Sequence, residues 1–169
     1  GKSRLLATLV LSPAWHYSPD QLQLAIIDYK GGSQIEQLRF QGRLLPHCCA
    51  ELNNVAENGV ERSLIYLRQE CERRQRYFAQ AQTALKQPVS DLDHYRQLCL
   101  DHPQLPRLAH CVLIIDEFAE LKQSQPEFMQ DLIQICRIGR SLGLHLILAT
   151  QRPAGIVDEQ MWSNFNFKL

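Results

Sequence analysis

The sequence predicts an α/β fold with a mostly parallel sheet and helices on both of its faces. The first observation is that short apolar segments alternate along the chain with longer stretches of helical periodicity. The second is that segments such as 111–115 are apolar at every position, which is typical of parallel strands buried on both faces. With 169 residues, 45% of them hydrophobic, we expect one domain that covers 1–169.

The first part of the chain predicts a helix, a strand and a glycine turn, in that order. Residues 3–11 are compatible with a helix that stops before Pro13. The segment LQLAIIDYK (22–30) predicts a short buried strand, and two glycines follow it. A further strand is expected around LLPHCCAEL (44–52), where Pro46 weakens the pattern.

A long helix is expected from about Val60 to Leu85, with an apolar stripe along one side. Its charged run RQECERRQR (68–76) could be a patch for nucleic acid. The run contains Glu70 with Arg74, and Glu72 with Arg76, as oppositely charged pairs four residues apart. A solvated helix face is therefore the favoured interpretation.

The second part of the chain continues the alternation of helices and strands. The expected elements are a short helix at DLDHYRQLC (91–99), a buried strand at CVLIID (111–116), an amphipathic helix at PEFMQDLIQICRIGRSLG (126–143) and a buried strand at LHLILAT (144–150). Gly143 is the expected stop of the amphipathic helix.

Composition argues against several classes of protein. Eighteen basic residues balance 18 acidic ones, so no overall positive field attracts nucleic acid or an anionic membrane. The apolar runs are far shorter than the ~20 residues that span a bilayer, and no leader opens the chain, so a soluble, unsecreted segment is expected. Six cysteines without CxxC or zinc spacing argue against a metal or redox motif.

Two carboxylates, Asp116 and Glu117, follow directly on the apolar segment 112–115. In parallel sheets ligands lie beyond the carboxyl ends of the strands, where Asp28 and Thr150-Gln151 are expected as well. An Asp-Glu pair directly after an apolar strand is the Walker B pattern. In it, Asp116 would orient Mg²⁺ and Glu117 would polarise the water that attacks the γ-phosphate of ATP.

A second phosphate-binding signal stands at the start of the chain. Gly1, Lys2 and Ser3 match the last three positions of G-x-x-x-x-G-K-[ST] and lead straight into a helix. Lys2 would reach the β- and γ-phosphates and Ser3 would ligate Mg²⁺, at a helix N-terminus that faces the anion. We therefore expect Lys2 and Asp116 to lie together in one site for ATP and Mg²⁺.

Three further polar residues are candidates for catalysis. Gln151, with Thr150 as the second choice, would sense the γ-phosphate and position the water, although a polar cap of the strand end is the alternative. Arg137 and Arg140 lie one turn apart at a helix end, where basic residues also favour the helix dipole. Their functional interpretation is an arginine finger that acts on a neighbour's ATP.

Longer motifs point to one family. DYKGG, LPH, RRQRYF, DEFAELK, PEFM, RIGRSLGLHLILATQRP and DEQMWSNFNFKL occur in this order. On these motifs the chain resembles the FtsK/SpoIIIE superfamily of hexamer-forming, RecA-like motor ATPases, and within it the type VII secretion membrane ATPases of the EssC/EccC type. The resemblance covers essentially all 169 residues. It implies a RecA-like P-loop NTPase core.

The resemblance assigns the same site residues as the motifs. By position, Gly1, Lys2 and Ser3 match the end of Walker A, and Asp116 and Glu117 match Walker B. Gln151 matches the family's polar residue after the strand. Arg140, with Arg137 nearby, matches the arginine of the family's Gly-Arg-Ser segment. Three departures are the absent front half of the P-loop, Ser33 after YKGG, and an end at Leu169 before the sheet is complete. We therefore expect a fragment truncated at both ends, with little activity by itself.

The resemblance also implies a setting for the parent chain. It would be anchored in the bacterial cell membrane, with tandem ATPase domains on the cytoplasmic face that power export of small helical proteins. The implied partners are neighbouring ATPase domains or subunits in a ring, secreted proteins with export signals, and components of the membrane secretion channel.

Two alternatives remain open. The first is a DNA translocase of the FtsK type, which shares LPH, DEFA and ATQRP; DYKGG, PEFM and the balanced charge favour secretion over it. The second is a degenerate module that binds nucleotide or nothing and docks export signals. Intact Asp116, Glu117 and Gln151 argue against degeneracy.

Overall fold

The structure, a computed structural model, describes residues 2–28, 39–40, 42–53 and 59–151. Its helices are α1 (Lys2–His16), α2 (Gly59–Leu85), α3 (Leu92–Asp101), α4 (Phe118–Ser124) and α5 (Pro126–Gly139). Its strands are β1 (Leu22–Asp28), β2 (Arg39–Phe40), β3 (Arg43–Leu44), β4 (Cys48–Asn53), β5 (His110–Asp116) and β6 (Leu144–Ala149). Gly1, most of DYKGG and the motif DEQMWSNFNFKL lie outside the described residues.

Four of the strands form one parallel sheet in the order β4-β1-β5-β6, and β2 and β3 form a small antiparallel pair. In the central register Asp28 pairs with Asp116, and Asp116 pairs with Ala149. The carboxyl ends of β1, β5 and β6 are therefore level with one another. This is the edge at which ligands of parallel sheets bind, and we call it the carboxyl edge.

Side chains alternate between the two faces of the sheet because successive residues of a strand point in opposite directions. On one face, Leu24, Ile26 and Ile114 pack with Leu6 and Val10 of α1. The other face is covered by the remaining helices, with a core that includes Ala25, Ile27, Leu67, Phe78, Tyr95, Leu113, Ile115, Leu121, Met129 and Leu132. The predicted α/β architecture, with helices on both faces of a parallel sheet, is confirmed.

The first helix departs from its prediction. A stop before Pro13 is wrong, because α1 continues through Pro13 to His16. Proline removes one donor from the helix, yet its own carbonyl still accepts a hydrogen bond from the N–H of Tyr17 at 2.9 Å. The last turn of α1 therefore closes.

The amphipathic helix also ends earlier than predicted. It stops at Gly139, and a turn of four residues, Arg140 to Gly143, leads into β6. Gly143 has a φ of +77°, which suits glycine, and it closes the turn by donating to the carbonyl of Arg140 at 3.1 Å. We call residues 140–143 the α5–β6 turn.

The charged run of α2 is only partly solvated. Glu72 and Arg76 are exposed as predicted, but Glu70 is buried and Arg74 is 1% exposed. The predicted solvated face is therefore wrong at these two positions. The reason is visible in the spacing, because Arg74 stands in the apolar stripe, three residues after the buried Cys71 and four before the buried Phe78.

Candidate nucleotide-binding site

The backbone turns sharply where β5 ends. Asp116 is the last residue of the strand, and Glu117 takes the left-handed conformation (φ 56°, ψ 47°) before α4 begins at Phe118. This conformation costs a residue with a side chain roughly 1–2 kcal/mol. The Glu117 N–H donates to Asp116 Oδ1 at 2.9 Å and so secures the turn. Strain of this kind concentrates at functional sites.

Lys2 brings the start of α1 to these two carboxylates. Its Nζ lies 2.8 Å from Asp116 Oδ1 and donates to Glu117 Oε2 at 2.7 Å. Both acidic residues are nearly buried, with Asp116 6% and Glu117 2% exposed. The sequence separates Lys2 from Glu117 by 115 positions, so only the fold makes this three-residue cluster. The expectation that Lys2 and Asp116 lie together agrees with this geometry.

The residues that follow β6 supply two further contacts of Glu117. Thr150 Oγ1 donates to Glu117 Oε1 at 2.9 Å, and the backbone N–H of Gln151 donates to the same oxygen at 3.1 Å. Gln151 thus contacts Glu117 through its backbone, whereas its side chain is exposed. Thr150, the second choice from the sequence, is the residue whose side chain reaches the carboxylate.

These contacts decide the protonation of the cluster. Burial alone would raise the pKa of Glu117, but the hydrogen bonds from Lys2, from the Gln151 N–H and from Thr150, with the charge of Lys2, lower it to about 2. Burial would lower the pKa of Lys2, yet the hydrogen bonds and charges of Asp116 and Glu117 outweigh it and the pKa is raised. At neutral pH Lys2 is therefore a cation bonded to an ionised Glu117.

The donor set fits Mg²⁺ held together with phosphates. Magnesium prefers oxygen ligands, and it is usually held by one or two carboxylates and the oxygens of substrate phosphates rather than by a cage of protein ligands. Two carboxylate side chains meet here, and within the described ranges there is no cluster of three or more histidine, cysteine or acidic residues that could hold a metal by itself.

The other predicted residues divide between two places. Ser3 lies in the first turn of α1, close in sequence to Lys2, and its side chain, like that of Asp28, is outside what the structure describes. Arg137 and Arg140 are exposed at the far end of α5. Because β6 rises about 3.3 Å per residue, its start lies roughly 16 Å from its end at Ala149. The two arginines are therefore not part of this cluster.

The parallel sheet, the lysine at the start of a helix and the Asp-Glu pair at a strand end define the class of P-loop nucleoside-triphosphatase domains. Comparison with known proteins narrows this class to one family. The chain belongs to the FtsK/SpoIIIE family, whose sequence profile matches residues 1–155. The family predicted from the motifs is thereby confirmed.

The chain is also similar to secretion proteins. It is 41% identical over 171 residues to the ESX secretion system protein YukB of Bacillus subtilis, an alignment that covers 100% of this chain and 11% of YukB. The solved cytoplasmic domain of the type VII secretion ATPase EccC from Thermomonospora curvata is 33% identical, with a TM-score of 0.76 over 97% of this chain and 18% of that one. This chain thus spans about a ninth of the length of its curated relative.

A further structure shares the fold. Thermomonospora curvata EccC (ATPases 2 and 3), solved in complex with a signal sequence peptide, has a TM-score of 0.65 and 21% identity, and the match covers 98% of this chain and 26% of that one. The similarities to YukB and to the 33% identical EccC domain favour the secretion branch over the DNA translocase that the shared LPH, DEFA and ATQRP motifs left open.

Two of the features that the sequence did not predict bear on the charged sites. One is the left-handed backbone of Glu117, the single residue between β5 and α4, for which no sequence pattern was a signal. The other is the burial of Arg74, which its place in the apolar stripe of α2 could have indicated.

Proposed function

We propose that this chain is one ATP-hydrolysing motor domain of a longer, type VII-like secretion ATPase, and that Mg-ATP binds at the carboxyl edge of its sheet. The observation that carries the proposal is the contact of Lys2 with both Asp116 and Glu117. A lysine at a helix N-terminus can bind the phosphates. Of the two strand-end carboxylates beside it, one can bind the metal and the other can orient the attacking water.

The roles of the residues follow from their chemistry. Lys2, whose side chain is 17% exposed, exchanges the carboxylates for the β- and γ-phosphates. Asp116 and Ser3 would hold Mg²⁺, and by their match to the P-loop motif Gly1 and Ser3 would contribute backbone N–H groups to phosphate binding. Bound Mg²⁺ would neutralise the negative charge that phosphoryl transfer gathers on the phosphate oxygens.

Glu117 orients the attacking water. Its pKa of about 2 keeps it ionised at neutral pH, so it remains an acceptor for a water proton. When Lys2 turns to phosphate, Oε2 loses its bond to Lys2, while Oε1 stays bonded to Thr150 and the Gln151 N–H. Thr150 and Gln151 therefore hold the carboxylate in place, and the exposed Gln151 side chain is free to reach the γ-phosphate.

Arg140, with Arg137 as the next candidate, completes the site of a neighbouring domain or subunit in a ring. Both are exposed, and the described part of the chain supplies no carboxylate partner for either of them. They lie at the opposite edge of the sheet from Lys2, which suits action on a neighbour's γ-phosphate rather than on the domain's own. Hydrolysis then requires assembly.

The proposed partners are the adjoining ATPase domains, secreted proteins with export signals, and components of the secretion channel. The complex of Thermomonospora curvata EccC with a signal sequence peptide supports the second of these. The proposed place is the cytoplasmic face of a bacterial membrane, with the anchor elsewhere in the parent chain. In the described ranges, no helix has the length and apolar character needed to cross a bilayer.

The test uses the full-length parent protein with a complete P-loop. Asp116→Ala should abolish the Mg²⁺-dependent part of ATP binding, measured by calorimetry with and without the metal, because the carboxylate that holds Mg²⁺ is lost. Asp131→Ala, which removes a carboxylate exposed on α5, is the matched control and should bind normally. Mg²⁺-dependent ATP binding that survives Asp116→Ala would refute the site.

Assembly is tested by mixing. Arg140→Ala and Glu117→Gln should each be inactive alone and should recover part of the ATPase activity together, because some interfaces then pair an intact Glu117 with an intact Arg140. Absence of recovery despite co-assembly, or full activity of Arg140→Ala alone, would remove Arg140 from the mechanism. Wild-type protein that binds nucleotide without turnover would favour the degenerate docking module, and strong stimulation by DNA would favour the translocase.

A further inference from the structure

We propose that Arg74, buried in α2, is a positioning residue that fixes the α5–β6 turn and thereby the reach of Arg140 toward a neighbouring nucleotide. The proposal rests on the proposed role of Arg140 as a residue acting in trans. It assigns a function to a buried charge on a helix that contributes no other residue to the nucleotide site.

The α5–β6 turn is held at three points by three different elements. The N–H of Leu92, at the start of α3, donates to the carbonyl of Ser141 at 2.8 Å. The N–H of Cys111, in β5, donates to the carbonyl of Gly143 at 2.9 Å. Arg74 Nη1 donates to the carbonyl of Leu142 at 2.7 Å. Only the last of these contacts comes from a side chain.

The turn leaves little room for movement. A Cβ at Gly143 would lie 2.1 Å from Leu92 Cδ2, so the backbone of the turn packs directly on the α3 side chain. At Gly139 a Cβ would lie 2.9 Å from the Cβ of Leu144. Arg140, between these two close approaches, is exposed. Its backbone is therefore fixed while its side chain points away from the packed part of the turn.

Arg74 is bonded through its Nε and Nη1 atoms, and Glu70 has a second arginine partner. Arg74 Nε donates to Glu70 Oε1 at 2.7 Å, and Arg73 donates to both oxygens of the same carboxylate, at 2.6 and 2.7 Å. Burial would raise the pKa of Glu70, but the two arginines outweigh it and lower the pKa. Removing Arg74 alone would thus leave Glu70 with a two-point partner in Arg73.

Stability alone gives little reason for a charge at this position. Arg74 occupies a place in the apolar stripe of α2, and replacing a buried ion pair by apolar side chains of similar volume is often neutral or stabilising. A methionine could fill the same space, but it could not bind the carbonyl of Leu142. What an arginine adds is the fixed geometry of its donors, aimed at the turn.

The experiment compares Arg74→Met with Arg73→Met in the full-length protein. Both variants remove one arginine from Glu70, but only Arg74→Met removes the contact with Leu142. For Arg74→Met we expect unchanged Mg-ATP affinity and a kcat about 100-fold lower, the scale of a misplaced catalytic group. Arg73→Met should keep both. Wild-type kcat in Arg74→Met, or equal losses in the two variants, would overturn the proposal.

Mixing separates positioning from general damage. Arg74→Met retains Lys2 and Glu117, so it should regain activity with Glu117→Gln, whose Arg140 is intact. It should not regain activity with Arg140→Ala, because both variants then lack a working finger. Recovery with Arg140→Ala, or none with Glu117→Gln despite co-assembly, would refute the inference. If Arg140→Ala alone stays active, the proposed function of Arg140 fails instead. The activity of Arg140→Ala alone therefore distinguishes that failure from a failure of the proposal about Arg74.

Two more readouts sharpen the test, and the first of them does not depend on the folding of Arg74→Met. Arg74→Lys keeps a donor near the carbonyl of Leu142 without the fixed geometry of the guanidinium, and it should restore part of the kcat; a Lys variant that folds but is as inactive as Arg140→Ala would contradict the role. In hydrogen exchange, the amides of Leu92 and Cys111, which bond to the turn, should lose protection in Arg74→Met and keep it in Arg73→Met. Equal protection in both would also contradict it.

Discussion

The two edges of the sheet both bury charge, but they satisfy it in different ways. At the carboxyl edge, one lysine is shared by the two acidic side chains of Asp116 and Glu117. At the opposite, amino edge, Arg74 is bonded to Glu70 and to the carbonyl of Leu142. The first set can exchange partners with a ligand, whereas the second is complete within the protein.

This difference distinguishes charged groups that can take part in the reaction from charged groups that hold the structure in place. A cation with an anionic partner can move to a stronger anion such as a phosphate, and its former partner is then ready for metal or water. Arg74 also has an anionic partner in Glu70, but it is buried and bonds the carbonyl of Leu142, which would be left buried and unsatisfied if the guanidinium moved. We therefore assign chemistry to the carboxyl edge and geometry to the amino edge, and the predictions below test that division.

The largest effect is expected at the carboxyl edge. Glu117→Gln in the full-length protein should keep Mg-ATP binding and lower the rate of hydrolysis about 10³-fold, within the usual contribution of a general base. The amide holds a water but cannot accept its proton. ATP binding and phosphate release measure the two quantities. Unchanged turnover would assign Glu117 a structural role and erase the contrast between the edges.

The next effect concerns the backbone of the amino edge. Gly143→Ala should lower the free energy of unfolding by about 3 kcal/mol, because it adds left-handed strain and a clash with Leu92. Gly42→Ala is the matched control: its φ of +76° is nearly the same, but nothing lies within 4 Å of the new Cβ.

The control separates strain from packing. Gly42→Ala should cost only the backbone strain, about 1 kcal/mol. Denaturant unfolding of both variants measures the difference. Equal losses would mean that the α5–β6 turn yields to Leu92, and that it is not the rigid support that the positioning of Arg140 requires.

Much of this arrangement could be predicted from sequence, for identifiable reasons. Strand 111–116 and its Asp-Glu end were predicted because parallel strands are apolar throughout and their ligands gather at their carboxyl ends. Lys2 could be assigned to the same site because the P-loop motif fixes its neighbour in space. These are local patterns with a single structural solution.

The amino edge could not be predicted in the same way. Arg74 and Glu70 form an i,i+4 pair whether the helix face is solvated or packed, and only the tertiary contact with Leu142 decides between the two. The α5–β6 turn was predicted as helix because the periodicity of α5 continues into it. Its true conformation depends on donors from Leu92 and Cys111, which lie far away in sequence.

A third prediction concerns the pH dependence of the carboxyl edge. The pKa of Glu117 is lowered from 4.5 to about 2 in the folded protein, so its ionised form stabilises the fold. That contribution is complete above pH 4.5 and is lost as the pH falls toward 2. The difference in unfolding free energy between wild type and Glu117→Gln should therefore shrink over this interval. A constant difference would mean that Lys2 and Thr150 do not hold the carboxylate in solution.

The smallest effect is expected for a surface ion pair that resembles the buried one. Arg68 Nη2 and Asp131 Oδ2 lie 2.7 Å apart and link α2 to α5, with the side chains 56% and 44% exposed. Water already solvates both charges, and ordering two long side chains offsets most of the attraction, so a double-mutant cycle with alanine should give a coupling of about 0.5 kcal/mol or less.

The cycle between Arg74 and Glu70, whose N–O distance is also 2.7 Å, should give a clearly larger coupling because both groups are buried. Raising the salt concentration should weaken the first coupling and leave the second nearly unchanged. Equal couplings would mean that distance rather than burial sets the strength of these pairs. The buried pair at the amino edge would then fix Arg74 no more firmly than a surface pair does.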